Sequence, residues 1–266
     1  MSKWLIWIIL SAVTGNPLLS AVILLAVWWT ADRFTLGLLP DPFRLVRRSV
    51  RQSALRRTIA HNPSDRRARL ELAILLLERR RYADALPLLK HNIEAGDDDA
   101  ITLFSMAQAC FGTGHPQQGE VLLDEVLDRD PNFRMGEVHL ERARWRLARG
   151  DAKGALTSLE ELLKVRPGTV EGKVLLARAH DALGDDVRAA YARRDAWADY
   201  VHSPRFQRRR DRLWAWRARP SRPLAYLAIA VVCAVLVSQF VAPVIARAAA
   251  ASAQPVTAYE PEAYEP

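Results

Sequence analysis

The chain has 266 residues, of which 50% are hydrophobic and 26% are charged, and its formal net charge is +8. This length allows one or two domains, and such high apolar and charged contents together indicate separate segments rather than one uniform globule. The two cysteines, Cys110 and Cys233, form no CxxC pair, which excludes a haem attachment signature and a disulfide framework.

The first segment, residues 1–31, is almost wholly apolar from Trp4 to Thr30. As a helix it would measure about 40 Å against about 30 Å for a bilayer core, so it fits one tilted transmembrane anchor. Tryptophans at both ends match the aromatic belts of the two membrane interfaces. An alternative remains open, in which Gly15-Asn16-Pro17 is a turn and the apolar limbs on either side form a re-entrant hairpin.

Residues 32–65 form a basic segment with seven Arg against three Asp. Asp41 as N-cap and Pro42 at the first helical position predict a helix that runs to about Ala60. Its apolar residues group on one side and its arginines crowd the rest, which is typical of a helix lying on a membrane surface. The same apolar side would equally serve as a leading helix that caps the next domain. The predicted contacts with anionic lipid are Arg47, Arg48 and Arg51.

Residues 66–201 repeat one helix-turn-helix pattern four times at a spacing of about 34 residues. Each copy has two small residues twelve positions apart, which let two helices cross closely, and an apolar seam around them. The small pairs are Ala73 and Ala85, Ala107 and Gly119, Ala143 and Ala155, and Ala177 and Ala189. Copies two to four have Gly114, Gly150 and Gly184 between their helices, where the backbone needs positive φ, whereas copy one has Arg80-Arg81. Pro131 and Pro167 end the second helices of copies two and three, and Asp97 replaces this proline in copy one.

These features resemble the tetratricopeptide-repeat (TPR) family, whose pattern W-x2-L-G-x2-Y, then A, x3, F and P is matched at the small residues, the seam and the prolines. The resemblance covers about half of the chain and departs from the family at the tyrosine place, which holds Leu76, Cys110, Arg146 and His180. It implies an all-α helix-turn-helix solenoid that binds proteins. In this chain we expect transmembrane helices on both sides of the solenoid.

The resemblance also implies a peptide groove along the first helix of each repeat. Its three rows are Leu70, Phe104, Leu140 and Val174; Ile74, Gln108, Arg144 and Arg178; and Leu77, Phe111, Leu147 and Asp181. Such a floor predicts an amphipathic or extended apolar peptide with some acidic character, held by the two phenylalanines and the two arginines. In the other interpretation, Phe104 and Phe111 belong to the core between repeats.

A second basic segment, residues 202–223, has eight Arg against one Asp, while the repeats are nearly neutral with 21 Lys and Arg against 23 Asp and Glu. Its Arg208, Arg209 and Arg210 are predicted to contact anionic lipid. Interleaved arginine and aromatic residues also fit nucleic acid, which the neutral repeats disfavour. Residues 224–246 supply a second apolar span, and residues 247–266 form an acidic tail that we expect to be disordered.

The motifs of common enzymes are missing, since the sequence has no phosphate-binding loop, nucleophile elbow or metal-binding histidine pair. Asp97, Asp98 and Asp99 precede a helix and are interpreted as its N-terminal charge rather than a cation site. We therefore expect no enzymatic activity, no cofactor and no metal site.

The charge distribution predicts the topology, because arginine-rich flanks adjoin the repeat side of both apolar segments. This pattern indicates a bacterial inner membrane protein whose repeats face the cytosol. The expected function is a membrane-anchored scaffold that presents a protein-interaction surface. The alternative is an assembly factor or chaperone for envelope or cytochrome maturation clients.

Overall fold

The structure is a computed structural model that describes residue 23, residues 42–229, residues 231–232 and residue 235. Ten α-helices are delimited within this part: α1 Pro42–His61, α2 Arg66–Glu78, α3 Tyr82–Glu94, α4 Ala100–Gly112, α5 Pro116–Arg129, α6 Glu137–Ala148, α7 Ala152–Val165, α8 Val170–Ala182, α9 Asp186–His202 and α10 Arg205–Ala218. A short 3₁₀ helix, Phe133–Met135, precedes α6, and the chain is helical again over 221–229.

The expected membrane anchors fall almost entirely outside the described residues. Of the apolar stretch 4–30 only residue 23 is described, and the span 224–246 is described at 224–229, 231, 232 and 235, where it is helical. Residues 247–266 also lie outside the described part. Among the described residues, no helix combines the length and the apolar character needed to cross a bilayer.

The predicted helix-turn-helix repeats are confirmed as four helix pairs: α2 with α3, α4 with α5, α6 with α7 and α8 with α9. The first helices of successive pairs also pack directly against one another, and within the described chain no comparable packing joins successive second helices. We call α2, α4, α6, α8 and α10 the inner layer, because helices that approach each other on one side of a stack line its concave face. The chain is therefore an all-α solenoid.

The small residues lie where the sequence pattern predicts, at the crossing of the two helices in each pair. Ala73, Ala85, Ala143 and Ala155 are fully buried, and the other pairs are equally enclosed. A Cβ atom on Gly119 would come within 2.9 Å of the Phe111 ring, so that crossing has no room for a side chain. Burial of apolar surface on both sides of each crossing then stabilises the pair.

The first helix of every pair ends in a Schellman motif. In pair one the Arg81 N–H donates to the Leu76 carbonyl at 2.9 Å, and the corresponding bonds recur at the ends of α4, α6 and α8. The residue at C′ must then adopt positive φ. Gly114, Gly150 and Gly184 do so as predicted, and Arg80 takes the same conformation with φ of 57°.

The ends of the second helices follow the sequence less closely. Gly96, with φ of 81°, ends α3 in a Schellman motif of its own. The sequence analysis noted only that Asp97 replaces the proline of the other repeats and did not predict this motif. Between pairs two and three the small residues are 36 positions apart, from Ala107 to Ala143. The two additional residues are taken up by the 3₁₀ helix, and Arg134, Met135 and Gly136 follow one another at positive φ.

The solenoid extends past both predicted boundaries. At the front, Leu55 is buried and Ile59 packs in the core of the first pair, so the second half of α1 is a leading solenoid helix. Its first half leaves Val46 and Val50 about 60% exposed. The interpretation as a leading solenoid helix therefore holds for the second half, and contact of the first half with a membrane surface stays a prediction. At the other end, α10 packs on α8 and α9 through Ala215 and Ala218, in the place of the next inner helix.

Arg80 supplies a test of the turn geometry. A residue with a Cβ atom in the left-handed conformation costs about 1 kcal/mol more than glycine. Arg80→Gly is therefore expected to raise the free energy of unfolding by about this amount, while Gly150→Ala lowers it similarly. The measurement is denaturant unfolding of the detergent-solubilised full-length chain.

The control for this test is Ala148→Gly, which introduces glycine at the helical end of α6 and is expected to destabilise the protein. If Arg80→Gly and Ala148→Gly changed stability in the same direction, backbone conformation would not be the cause.

Candidate functional site

The first predicted groove row is mostly core. Phe104, Leu140 and Val174 are 3%, 1% and 3% exposed, and only Leu70 is half-buried. These positions lie on the inner layer, but neighbouring helices cover them. The open groove floor that the sequence predicted is therefore not present along this row.

Phe104 and Phe111 are the two proposed peptide anchors, and both are buried against other aromatic rings. Phe104 contacts the Phe133 ring with centroids 5.1 Å apart, and Phe111 stacks on Trp145 at 5.5 Å. The Tyr82 ring meets the same Trp145 edge-on at 5.9 Å, so residues from three repeats join in one aromatic group. Both phenylalanines thus belong to the core between repeats. The structure does not expose them as the peptide anchors that were predicted.

The second row remains on the surface. Ile74 and Gln108 are half-buried and Arg178 is exposed. Arg178 has no ion-pair partner among the described residues, so its charge is available to a ligand. Arg144 occupies the matching place one repeat earlier, but its surroundings differ completely.

Arg144 is surrounded by carboxylates. Its guanidinium lies 2.7 Å from a carboxylate oxygen of Glu171, 2.7 Å from one of Glu141 and 3.5 Å from one of Glu137. These contacts connect α6 with α8, and Glu141 also accepts a bond of 2.9 Å from the Trp145 indole. The charge that the sequence assigned to an acidic ligand is therefore already neutralised within the chain.

Burial and pairing act in opposite directions on this cluster. Burial by itself would lower the pKa of Arg144, but the nearby Glu171 and Glu141 carboxylates outweigh it and raise that pKa. Burial raises the pKa of Glu171, and Arg144 offsets this only in part. Arg144 thus stays charged, and the ionised Glu171 depends on it.

A cavity of about 550 Å³ opens beside this cluster, between α6, α8 and α10. Glu137, Leu140, Arg144 and Glu171 contribute one side, and Gln207, Arg210, Asp211 and Trp214 of α10 contribute the other, with Met135, Arg166 and residues 168–170 at one end. Trp214 also packs into the cores of the last two repeats. Guanidinium and carboxylate groups are balanced in number here, so the cavity has mixed polarity around an aromatic and aliphatic base.

The arginines predicted to contact lipid have several different surroundings. Arg48 pairs with Glu78 at 3.1 Å and Arg51 pairs with Glu71 at 2.6 Å, so both hold α1 against α2. Arg210 lines the cavity and lies 3.5 Å from Asp211. Arg47 and Arg209 are exposed and Arg208 is half-buried. Lipid contact through Arg48, Arg51 and Arg210 would have to compete with these carboxylates.

One polar cluster, around Glu120, was not predicted from the sequence. Glu120 of α5 lies 2.9 Å from Arg142, 2.9 Å from Arg146 and 3.4 Å from Arg149 of α6, across the junction between pairs two and three. The sequence indicated Arg146 only as a departure from the TPR pattern at the tyrosine place, and it gave no role to Arg142. Their spacing of four residues on α6 was the available signal, because it places both on one helix face.

The three aspartates before α4 have protein partners or a backbone role. Asp97 accepts a bond from Asn92 at 3.0 Å and Asp98 pairs with Arg129 at 3.0 Å, while Asp99 is the N-cap residue but makes no side-chain cap bond. In the described part of the chain, no group of His, Cys, Asp and Glu residues is arranged to hold a metal ion.

The role of Arg144 among its carboxylate partners can be tested by stability measurements. Arg144→Met leaves Glu137, Glu141 and Glu171 without their shared cation, so we expect it to lower the free energy of unfolding by about 1–3 kcal/mol at neutral pH. The pKa of Glu171 already lies above its usual value, and removing Arg144 would raise it further. Protonation on lowering the pH would then relieve the repulsion, so the loss should shrink toward pH 5.

The matched control is Arg178→Met, the same substitution at the corresponding place of the next repeat, which should change stability by no more than about 0.5 kcal/mol. Unfolding of both variants would be followed at pH 7.5 and pH 5. Equal losses in the two variants, or a loss at Arg144 that does not depend on pH, would contradict the assignment.

Comparison with known proteins identifies the fold. No protein-family model and no curated protein matches the chain. A thermophilic TPR protein of Thermus thermophilus, TTC0263, is similar in structure, with 21% identity, coverage of 66% of this chain and 92% of that chain, and a TM-score of 0.50. A structure of MamA (MSR-1) has 17% identity, coverage of 60% and 91%, and a TM-score of 0.50. At these identities the likeness concerns the fold alone: the described chain has the architecture of a TPR solenoid.

Proposed function

We propose that this protein is a membrane-anchored scaffold whose inner layer binds a segment of a protein partner. The observation that carries the proposal is the cavity between α6, α8 and α10, which opens on the inner layer and includes Trp214. Inner faces of helical solenoids are extended surfaces suited to binding proteins. A partly buried aromatic residue such as Trp214 beside polar groups suits a binding hot spot.

The cavity determines what kind of segment would fit. Arg144 is neutralised by its own carboxylates, and the remaining lining is balanced in charge, so a strongly acidic peptide gains little there. An amphipathic segment fits better, with an apolar side chain against Trp214 and polar groups toward Arg210 and Asp211. Arg178, exposed on the same layer, adds one positive charge along the path.

The anchoring part of the proposal rests on the apolar stretches 4–30 and 224–246, with basic residues on the repeat side of both. Each stretch is long enough to span a bilayer. Positive charge beside a span favours the cytosolic side, so the solenoid would face the cytosol at a bacterial inner membrane.

The binding face can be tested by photo-crosslinking in membranes that contain the full-length protein. A photoreactive amino acid would replace Gln108 or Arg178 on the inner layer, and Val121 of α5 or Val187 of α9 as outward-facing controls, both well exposed. We expect both inner positions to capture the same protein and the outer positions to capture none. Capture only from Val121 or Val187 would refute an inner binding face.

The orientation is tested separately by cysteine labelling in a variant that lacks Cys110 and Cys233. One probe cysteine would be introduced by Val187→Cys, which is 82% exposed, and another by Ser252→Cys in the tail. An impermeant maleimide applied to cells with a permeabilised outer membrane should label the tail and leave position 187 unlabelled until the inner membrane is lysed. The reverse pattern would show that the topology is inverted.

A further inference from the structure

A second pocket lies at the other face of α10, where the end of this helix meets α9. It has a volume of about 390 Å³ and is lined by Ala190, Arg193, Arg194, Trp197, Ala218 and Arg219. The guanidinium carbon of Arg219 is 5.6 Å from the centre of the Trp197 ring, and that of Arg222 is 5.8 Å from it. Two arginines therefore lie against the indole, and two more, Arg193 and Arg194, line the same pocket.

These arginines are poorly neutralised. Only Arg193 has a carboxylate partner among the described residues, Asp181. Arg194, Arg219 and Arg222 form no ion pair with any described residue, although the repeats as a whole contain slightly more acidic than basic residues. Grouped guanidinium groups repel one another, and contact with an aromatic face compensates only partly. The pocket is thus a concentrated positive site in which, within the described part of the chain, only Arg193 has a counter-charge.

The pocket also has a defined place along the chain. Arg219 and Arg222 stand directly before the predicted span 224–246, and the chain is helical from 221 to 229. Along this helical stretch Leu224, Leu227 and Ile229 are each at least 60% exposed. An apolar surface that would enter a membrane therefore begins within one turn of the arginines.

We propose that this pocket binds the phosphate of an anionic phospholipid headgroup, a proposal that rests on the membrane anchoring put forward above. Guanidinium groups suit phosphate because their planar N–H pairs bind two of its oxygens at once. Tryptophan is favoured at the level of the headgroups, which fits Trp197 beside the arginines. The pocket holds one phosphate group rather than a strand, and the neutral repeats provide no basic track beyond it for nucleic acid.

The arginines of this pocket differ from those for which the sequence predicted lipid contact. Arg48, Arg51 and Arg210 lie near carboxylates, whereas Arg194, Arg219 and Arg222 pair with none that the structure describes. The arginines come from α9 and from the segment that follows α10, so the bound headgroup would fasten the end of the solenoid to the bilayer surface.

The test uses detergent-solubilised full-length protein and native mass spectrometry with dioctanoyl-phosphatidylglycerol, dioctanoyl-phosphatidylcholine and inorganic phosphate as probes. We expect saturable binding of phosphatidylglycerol that Arg219→Gln/Arg222→Gln weakens about tenfold, since two charge-assisted contacts are lost. Arg66→Gln/Arg67→Gln removes the same charge from exposed positions on α2 and should leave binding unchanged. Arg194→Gln, on α9, is a second pocket variant that leaves the chain before residue 221 intact and should also weaken binding.

Several results would overturn the proposal. Equal weakening in the Arg66→Gln/Arg67→Gln control would mean that only net charge matters, and unchanged binding in both pocket variants would place the lipid elsewhere. If inorganic phosphate displaced phosphatidylglycerol at the same concentration, the pocket would be a site for a soluble anion. If a short oligonucleotide bound more tightly than phosphatidylglycerol, the pocket would be a nucleic-acid site. The scaffold function is judged independently, by capture from Gln108 and Arg178, and anchoring by whether the chain sediments with membranes.

Discussion

The close crossing of two helices at paired small residues is the constraint on which the rest of this structure depends. Ala73 against Ala85, and the corresponding pairs in the later repeats, let the backbones approach until the apolar seams on either side interlock. Side chains with more atoms at these places would separate the helices and open voids, which costs several kilocalories per mole in a packed core. Repetition of this crossing builds the inner layer, and the inner layer holds the cavity.

The local parts of the fold could be predicted from the sequence, because they depend on residues close together in the chain. The helix pairs, the glycine turns and the helix from Pro42 follow from periodicity, from small residues and from capping. Arg80 was the exception, since the Schellman bonds at the end of α2 impose positive φ on a residue that disfavours it. The ends of the solenoid were harder to locate, because arginine-rich helices such as α10 look alike whether they face lipid or pack on a neighbour.

The candidate site was less predictable, because its properties come from contacts between repeats. Arg144 has the same place in its repeat as Arg178, yet Glu171, 27 positions along the chain, neutralises one and nothing described neutralises the other. Phe104 and Phe111 belong to aromatic contacts that form only when Phe133 of the 3₁₀ helix and Trp145 of the next repeat pack against them. A family pattern specifies which face a residue occupies, and it does not specify what covers that face.

The two additional residues between pairs two and three have a mechanical consequence. In a solenoid each repeat contacts only its neighbours, so cooperativity is set by the weakest junction. At this junction the register changes through three consecutive residues with positive φ, and Glu120 of α5 pairs across it with arginines of α6, beside an apolar contact of Leu123 and Val126 with Val138. Ion pairs near a surface weaken as salt rises, whereas apolar seams do not. Rising salt should therefore weaken the polar part of this central junction first, while the stacking of Phe111 on Trp145 across it does not depend on ionic strength.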